Sequence, residues 1–133
     1  MADSSDVVAG TNGTATHYNN LRKDLVLGQN VMGTESDGAT VTFDFSDKTK
    51  GKIRTVTLGG NRTFAFSNAV AGQTIIIRVI QDGGGSRTVT WPTIKWPYAS
   101  TPVLTTTGGK IDTFGIVCTA AATYEGYVLG QSL

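Results

Sequence analysis

Acid–base chemistry in this chain would fall to its carboxylates and its single histidine. The candidate carboxylates are Asp44, Asp47, Asp112 and Glu125, and the histidine is His17. Hydrolysis of a glycoside needs two carboxyl groups held about 5–10 Å apart across a cleft, and the positions of these residues along the chain do not establish such a pair. His17 has no second histidine with which to share a metal ion. We therefore expect no catalytic site, no metal and no cofactor, and we predict that the protein is not an enzyme.

Two glycine-rich stretches could in principle cradle a phosphate group. They are DGGGSRT, residues 82–88, and TGGKI, residues 107–111. A phosphate-binding loop needs a lysine followed by serine or threonine, and a helix whose N-terminus faces the phosphate. Neither stretch has that lysine, and neither precedes a predicted helix. Both are therefore predicted to be turns.

The charge balance argues against nucleic-acid and membrane partners. Charged residues make up 16% of the 133 residues and the formal net charge is +1, whereas such partners need a basic cluster. No apolar run approaches the roughly 18 residues of a membrane-spanning helix, and the N-terminus lacks a cationic leader. We expect synthesis in the cytoplasm without translocation. Cys118 lies in a strand-like apolar run and is expected to be a buried structural thiol.

One short α-helix is predicted near the N-terminus. Tyr18, Leu21 and Leu25 recur at positions i, i+3 and i+7, and Gly28 can end the helix. The apolar stripe either packs against the chain's own sheet or forms a symmetric helix bundle, and its spacing leaves both alternatives open. Together with an extended polar arm ahead of it, this helix defines a predicted N-terminal unit, residues 1–36.

Residues 37–133 are predicted to form an antiparallel β-sandwich of the jelly-roll type. The chain has 17 glycines and frequent threonine, a composition typical of short strands and tight turns. We count roughly eight or nine strands, one of them at 103–107, spaced as in a sandwich or barrel. In the first strand, alternation places Val41, Phe43 and Phe45 on one face.

Local patterns also predict how neighbouring strands pair. Residues 53–58 and 62–67 are joined through Gly-Gly-Asn and are predicted to form a hairpin. The middle of residues 73–82 is apolar at nearly every position, which indicates a central strand buried on both faces, with residues 87–91 as its antiparallel return. Residues 110–130 are predicted to form the last hairpin. One face of the central strand would carry Ile75, Ile77 and Val79. The other face would carry Ile76, Arg78 and Ile80.

Both tryptophans fall in one short segment, TVTWPTIKWPYASTP, residues 88–102. Each is followed by a proline, which removes a backbone donor and holds the preceding residue extended. We expect Trp91 and Trp96 to cover one end of the β-body. Tyr98 follows at the predicted loop tip, so Trp96 and Tyr98 are the candidates for contact with a ligand or a host surface.

The second half of the chain, residues 61–130, resembles a β-module that recurs in virion proteins of tailed bacteriophages. The family's landmarks are an sNAVAGQT-like turn, a strand ending in QDG, RTVTWP, a KWP corner, a P.LTTT.GK.D.F strand and a final Y.G strand. All of them occur here in order, in the segments Asn68–Thr74, Gln81–Gly83, Arg87–Pro92, Lys95–Pro97, Pro102–Phe114 and Tyr124–Gly126.

The N-terminal stretch AGTNGTATHYNNLRKDL resembles the attachment segment of phage head fibres and small tail appendages. In those proteins a polar arm leads into a short helix with a YN.LR.DL core. A histidine-rich HTHDG element often follows there, but this chain has GQNVMGTESDGAT instead, so no metal on a trimer axis is expected. The matching residues are Tyr18, Asn19, Leu21, Arg22, Asp24 and Leu25.

The resemblance implies a structural protein of a tailed-phage virion, a small fibre or decoration subunit. Its N-terminal segment would bind capsid or tail proteins, and its β-body would project outward. Such appendages are usually homotrimers, which makes Tyr18, Leu21 and Leu25 candidate axis residues. The alternative is a carbohydrate-binding module, or lectin-like host-adhesion domain, that stacks host surface glycans on Trp91, Trp96 and Tyr98. A third hypothesis is an accessory domain of a hydrolase.

Overall fold

The computed structural model describes residues 31–133. In this part of the chain there are eight strands and one 3₁₀ turn, and no helix is long and apolar enough to cross a membrane. The fold of the described residues is thus all-β. The strands are β1 (Met32–Thr34), β2 (Thr40–Asp44), β3 (Ile53–Leu58), β4 (Arg62–Ser67), β5 (Thr74–Gln81), β6 (Val89–Thr90), β7 (Ile111–Ala120) and β8 (Thr123–Gly130), with the 3₁₀ turn at Pro97–Ala99.

The strands form two sheets, and the first six strands alternate between them. One sheet has the order β1-β3-β5-β7-β8 and the other the order β2-β4-β6. Strands two elements apart pair in parallel, with Met32 beside Ile53 and Ile53 beside Ile76. The chain therefore winds back and forth between the sheets as in a β-helix. It then finishes with β7 and β8, which pair antiparallel.

The predicted antiparallel pairing is wrong for β1 to β6, and a jelly-roll-like arrangement is not confirmed. The Gly-Gly-Asn corner joins β3 to β4 across the two sheets and does not close a hairpin. Asp37 holds this corner, because its carboxylate accepts hydrogen bonds from the Arg62 guanidinium at 2.8 and 2.7 Å and from the Gly59 amide at 3.1 Å. The predicted return strand at 87–91 likewise pairs with β4 and not with β5.

The predicted face of β2, the central position of β5 and the last hairpin are confirmed, but β5 is fully buried on one face only and not on both. Val41, Phe43 and Phe45 are all buried on one face of β2 and its extension. Strand β5 lies in the centre of its sheet, and its buried positions include Ile75, Ile77 and Val79 while the alternate set is half-buried. The face that carries Arg78 is the more polar one. Residues 103–107 are not a strand, although Leu104 is buried.

Buried side chains of the two sheets form one core. Its buried members come from both sheets, and aromatic rings of the neighbouring strands β2 and β4 meet edge-to-face, with Phe43 and Phe64 4.9 Å apart as diagonal neighbours. Such a pair adds roughly 0.5–1.5 kcal/mol to the area term. The buried apolar side chains are Val41, Phe43, Phe45, Val56, Leu58, Phe64, Ile75, Ile77, Val79, Trp96, Leu104, Phe114, Ile116, Cys118 and Tyr124.

A buried ion pair joins β1 to β3. The Arg54 guanidinium donates to the Glu35 carboxylate at 3.1 Å, and both residues are almost fully buried, at 1% and 4% exposed. Arg54 also donates to the carbonyl oxygens of Gly51 and Asp47, and Lys50 donates to Glu35 at 2.7 Å. The cluster holds the β2–β3 connection against β1. Strand pairing therefore begins at Met32, ahead of the predicted boundary between residues 36 and 37.

Candidate functional site: the Trp-Pro loop

The Trp-Pro loop, residues 91–101, leads from β6 towards β7 and is fixed to the core by its two tryptophans. The Trp91 ring lies edge-to-face against Phe64, Trp96 and Phe114, at centroid distances of 5.2, 5.2 and 4.9 Å. The Trp96 ring is buried, at 7% exposed, and covers Gly126 of β8. Both tryptophans therefore pack against the core.

The contact between Trp96 and Gly126 leaves no room for a side chain. A Cβ atom on Gly126 would lie 2.4 Å from Trp96 Cζ3, so we expect Gly126→Ala to lower the free energy of unfolding by about 1–3 kcal/mol through overpacking. Gly83→Ala is the matched control, because a Cβ atom there would meet nothing within 4 Å. Urea titration followed by tryptophan fluorescence measures both changes. Equal losses in the two variants would contradict the packing described.

The tip of the loop presents Tyr98 on a firmly anchored backbone. The Lys95 amide donates to the Tyr124 carbonyl at 2.9 Å, and the Gly126 amide donates to the Lys95 carbonyl at 3.0 Å. Beyond this anchor, Tyr98 has φ 58° and Ala99 has φ 56°, a left-handed conformation that costs a bulky residue about 1–2 kcal/mol. The Tyr98 side chain is 100% exposed. Strain of this kind is often retained where a side chain has a function.

The structure separates the two residues predicted to contact a ligand. Tyr98 is free to stack on a ligand, whereas the Trp96 ring is buried and offers no face to one. Trp96 is thus corrected from a contact residue to an anchor of the loop. The predicted attachment residues Tyr18, Leu21 and Leu25, and also His17, lie outside the described residues.

The candidate carboxylates do not converge on a common cleft. Asp44 accepts hydrogen bonds from Ser46 and Asn68, and Asp47 from the Thr49 amide and hydroxyl. Each of these carboxylates therefore closes its own turn. Within residues 31–133, no group of three histidine, cysteine, aspartate or glutamate residues is placed to hold a metal ion.

Asp112, the buried carboxylate of the four, ties two loops to β7. It is 2% exposed and accepts hydrogen bonds from the amides of Thr105 at 2.6 Å and Ser132 at 2.9 Å. The segment predicted as a strand at 103–107 is thus held by a side chain and not by a ladder. The position of Asp112 in the alternation of β7, two residues before Phe114, is the signal in the sequence that it faces inward.

The glycine-rich loop at 82–88 is a turn, as predicted. Its amide groups at Gly84 and Gly85 donate to the Asp82 carboxylate, each at 3.1 Å, so an internal anion already occupies the place of a phosphate. Arg87 donates to the same carboxylate at 3.0 and 2.9 Å. Gln81, which is buried, bonds the loop at both the amide and the carbonyl of Arg87.

Two arginine–aspartate pairs make the stability of the fold depend on pH. The hydrogen bonds from Arg62 lower the pKa of Asp37, and those from Arg87 lower the pKa of Asp82. A carboxyl whose pKa is lower in the folded than in the unfolded state contributes stability above the unfolded pKa, about 3.9, and this contribution is lost as pH falls through the folded pKa.

We therefore expect the urea midpoint to fall as pH is lowered from 5 to below about 4. The decrease should be smaller in Asp82→Asn, which has one carboxylate fewer to protonate, than in the parent protein. Midpoints measured by circular dichroism across this range test the prediction. Parallel pH profiles for the two proteins would show that the Asp82–Arg87 pair does not contribute.

Cys118 and Glu125 each make a hydrogen bond within the chain. Cys118 is fully buried, and its thiol donates to the Ala120 carbonyl at 3.0 Å. Glu125 accepts a hydrogen bond from the Tyr127 hydroxyl at 2.9 Å, which raises the pKa of that hydroxyl. No sequence pattern singled out Tyr127 or the exposed edge on which it lies.

Comparison with known proteins adds no relative to this picture. No protein-family model matches the chain, and no match is found among curated proteins or solved structures.

Proposed function

We propose that the protein is a structural component of a tailed-bacteriophage virion, a small fibre or decoration subunit. Residues 1–36 attach it to capsid or tail proteins, and the β-body projects from the particle. The subunit has no catalytic role, requires no cofactor, and assembles as a homotrimer through Tyr18, Leu21 and Leu25. The proposal starts from the motif resemblance over residues 61–130 and the N-terminal segment.

The observation that best supports this proposal is the use of the landmark residues in packing. Trp96 of the KWP corner covers Gly126 of the final Y.G strand, and Trp91 of RTVTWP packs on Phe114 of the strand that follows. Asp82 of QDG closes the glycine-rich turn on its own amides. Residues that recur because they hold a scaffold together are expected in a structural subunit, whose function depends on shape and attachment.

For the architecture, we propose that the two sheets form a β-sandwich whose first six strands are wound in parallel. Support comes from the single core, to which both sheets contribute buried residues, and from the ring contacts between Phe64 and Trp91 and between Trp91 and Phe114. A sandwich of this kind is a rigid spacer, because each turn of the coil rests on the next.

The attachment proposal is tested by deleting residues 1–28. Particles assembled with the truncated protein should lack it, while the purified β-body keeps the thermal unfolding temperature of the full chain. A finer test replaces Tyr18, Leu21 and Leu25 together by alanine, with Asn20→Ala/Lys23→Ala in the same segment as the matched control. Loss of incorporation in the first variant only is expected. Full occupancy of either the truncated protein or the triple variant in particles would refute attachment through this segment.

A second candidate function, glycan recognition, is favoured by one feature: the fully exposed Tyr98 on a strained and anchored tip. An exposed aromatic ring can stack on the apolar face of a sugar, and its hydroxyl can hydrogen-bond a ring substituent. Trp96 contributes only by fixing the loop.

A glycan array with Tyr98→Gly tests this candidate. Glycine accepts positive φ, so the variant should keep the stability of the parent to within about 1 kcal/mol and lose any glycan binding. Tyr127→Ala, which removes a different exposed tyrosine, serves as the control and should retain binding. If the parent binds no glycan, or if Tyr98→Gly binds as well as the parent, the lectin-like function is excluded.

A further inference from the structure

The second half of β8 and the three residues after it carry no charged side chain, and the strand part, residues 127–130, is a sheet edge that the described residues leave open. We call these residues together, 127–133, the edge strip, with the sequence YVLGQSL. Tyr127, Val128, Leu129 and Leu133 are 43%, 44%, 58% and 63% exposed. Four of the eight exposed large hydrophobic residues in the described part of the chain thus lie within one short segment.

Within the edge strip, the backbone of the β8 residues 127–130 is also available for pairing, whereas Ser132 and Leu133 are bonded to Asp112 and Ile111. On its inner side β8 bonds to β7, and on its outer side the only described partner is Lys95, which bonds the Tyr124 carbonyl and the Gly126 amide. Alternate residues of an antiparallel strand direct their backbone groups to opposite sides. Since Gly126 faces outward, Val128 presents its N–H and C=O outward as well, beyond the reach of Lys95.

Natural sheet edges are usually protected by charge, by proline or by shortness. The smaller sheet follows this rule. Its edge strand β2 ends in the charged Asp44, and its other edge strand, β6, is only two residues long and begins two positions after Arg87. The edge strip lacks both charge and proline, and its one irregularity is a register shift between Val128 and Gly130, opposite Phe114 and Thr113. At the opposite edge of the same sheet, β1 has the uncharged sequence Met-Gly-Thr, and Met32 is 55% exposed.

We propose that the edge strip docks the β1 edge of a second copy of this chain. Charge matching favours this occupant, because neither residues 127–130 nor β1 carries a charged side chain, and the net charge of +1 gives copies little reason to repel each other. Length also matches, since Lys95 restricts pairing to residues 127–130 and β1 has three residues. β8 runs in the same direction as β1, so the joined sheet would continue the parallel pairing of β1, β3 and β5.

Pairing one edge with a different edge is a heterologous contact, which closes into a ring when copies are related by rotation. The inference rests on the proposed function in one respect: it supplies a second contact for the homotrimer. The edge contact is separate from the proposed trimer contacts. Those contacts lie at Tyr18, Leu21 and Leu25, whereas the edge strip is at the other end of the sequence.

The mass of the full chain in solution tests the proposal. Sedimentation velocity should show the parent as an assembly of 14.0 kDa chains, and Leu129→Lys should raise its dissociation constant about tenfold or more. Val70→Lys is the matched control, because Val70 is 63% exposed but lies in the β4–β5 turn, and it should assemble as the parent does. Circular dichroism should show that both variants remain folded. A monomeric parent, or a Leu129→Lys variant that assembles normally, would overturn the proposal.

Disulfide trapping identifies the partner edge. Met32→Cys/Leu129→Cys should form covalent multimers on mild oxidation, whereas each single variant should not, since Cys118 is buried. A covalent dimer from Leu129→Cys alone would overturn the proposed pairing with β1. If removal of residues 1–28 dissolves the assembly and Leu129→Lys does not, the edge inference fails while attachment to the virion stands as a separate proposal.

Discussion

Arg54→Met is expected to lower the free energy of unfolding by about 3–5 kcal/mol, since it removes one partner of a buried ion pair. The substitution leaves the Glu35 carboxylate, 4% exposed, with Lys50 as its remaining cation. It also leaves the carbonyl oxygens of Gly51 and Asp47 without the donors that Arg54 provides. Chemical denaturation at pH 7 measures the loss.

Arg62→Met is the matched control for this prediction. Arg62 also pairs with a carboxylate, that of Asp37, but side-chain exposures of 22% and 30% place the pair near the surface. Such pairs contribute up to about 1 kcal/mol. The double variant Glu35→Gln/Arg54→Met should recover part of the loss, because no unpaired charge is then buried. If Arg54→Met costs no more than Arg62→Met, the described burial of the Arg54–Glu35 pair is contradicted.

Ile77→Ala is expected to cost about 2–5 kcal/mol, the range for truncating a fully buried isoleucine. Ile77 is 0% exposed and lies opposite Arg54 in β3 and Phe114 in β7, in the middle of the larger sheet. Denaturant unfolding gives the free energy. Ile77→Val should cost only about 0.5–1.5 kcal/mol, because it removes one methylene group.

Val70→Ala provides the surface reference for Ile77. Val70 is 63% exposed, and its truncation should change stability by no more than about 0.5 kcal/mol. A loss below about half a kcal/mol for Ile77→Ala would mean that β5 is not the central strand.

The strands that local periodicity predicts well are those whose burial follows a simple pattern. Val41 and Phe43 alternate with polar residues, and the run at Ile75–Ile80 is apolar on both faces, so burial and sheet position could be predicted without a partner. The final hairpin was also predictable, because β7 and β8 are separated by only two residues and such neighbours pair antiparallel.

The parallel winding could not be predicted in this way. Whether β3 pairs with β4 or with β5 depends on contacts distant in sequence, such as the bond from Arg62 to Asp37. A Gly-Gly-Asn corner is compatible with a hairpin and with a crossing between sheets, and the glycines alone do not distinguish them. The buried Arg54 did leave a sequence signal: it shares the face of Val56 and Leu58 in the alternation of β3.

At the candidate site too, burial depends on a contact distant in sequence that local patterns do not report. Two aromatic residues, Trp96 and Tyr98, stand two positions apart in the sequence, yet one is buried and the other fully exposed. The difference arises because Gly126 opens a space on β8 that only Trp96 can fill. No local pattern around residue 98 reports that tertiary contact, so both residues appeared equally suited to bind a ligand.

The proposal that this chain is a structural part of a phage particle is tested most directly by quantitative mass spectrometry of purified particles of a tailed phage whose genome carries this sequence. The account predicts that the chain is present after high-salt washing, at a fixed copy number per particle that is a multiple of three. Its absence from washed particles, or a copy number that varies between preparations, would contradict the account.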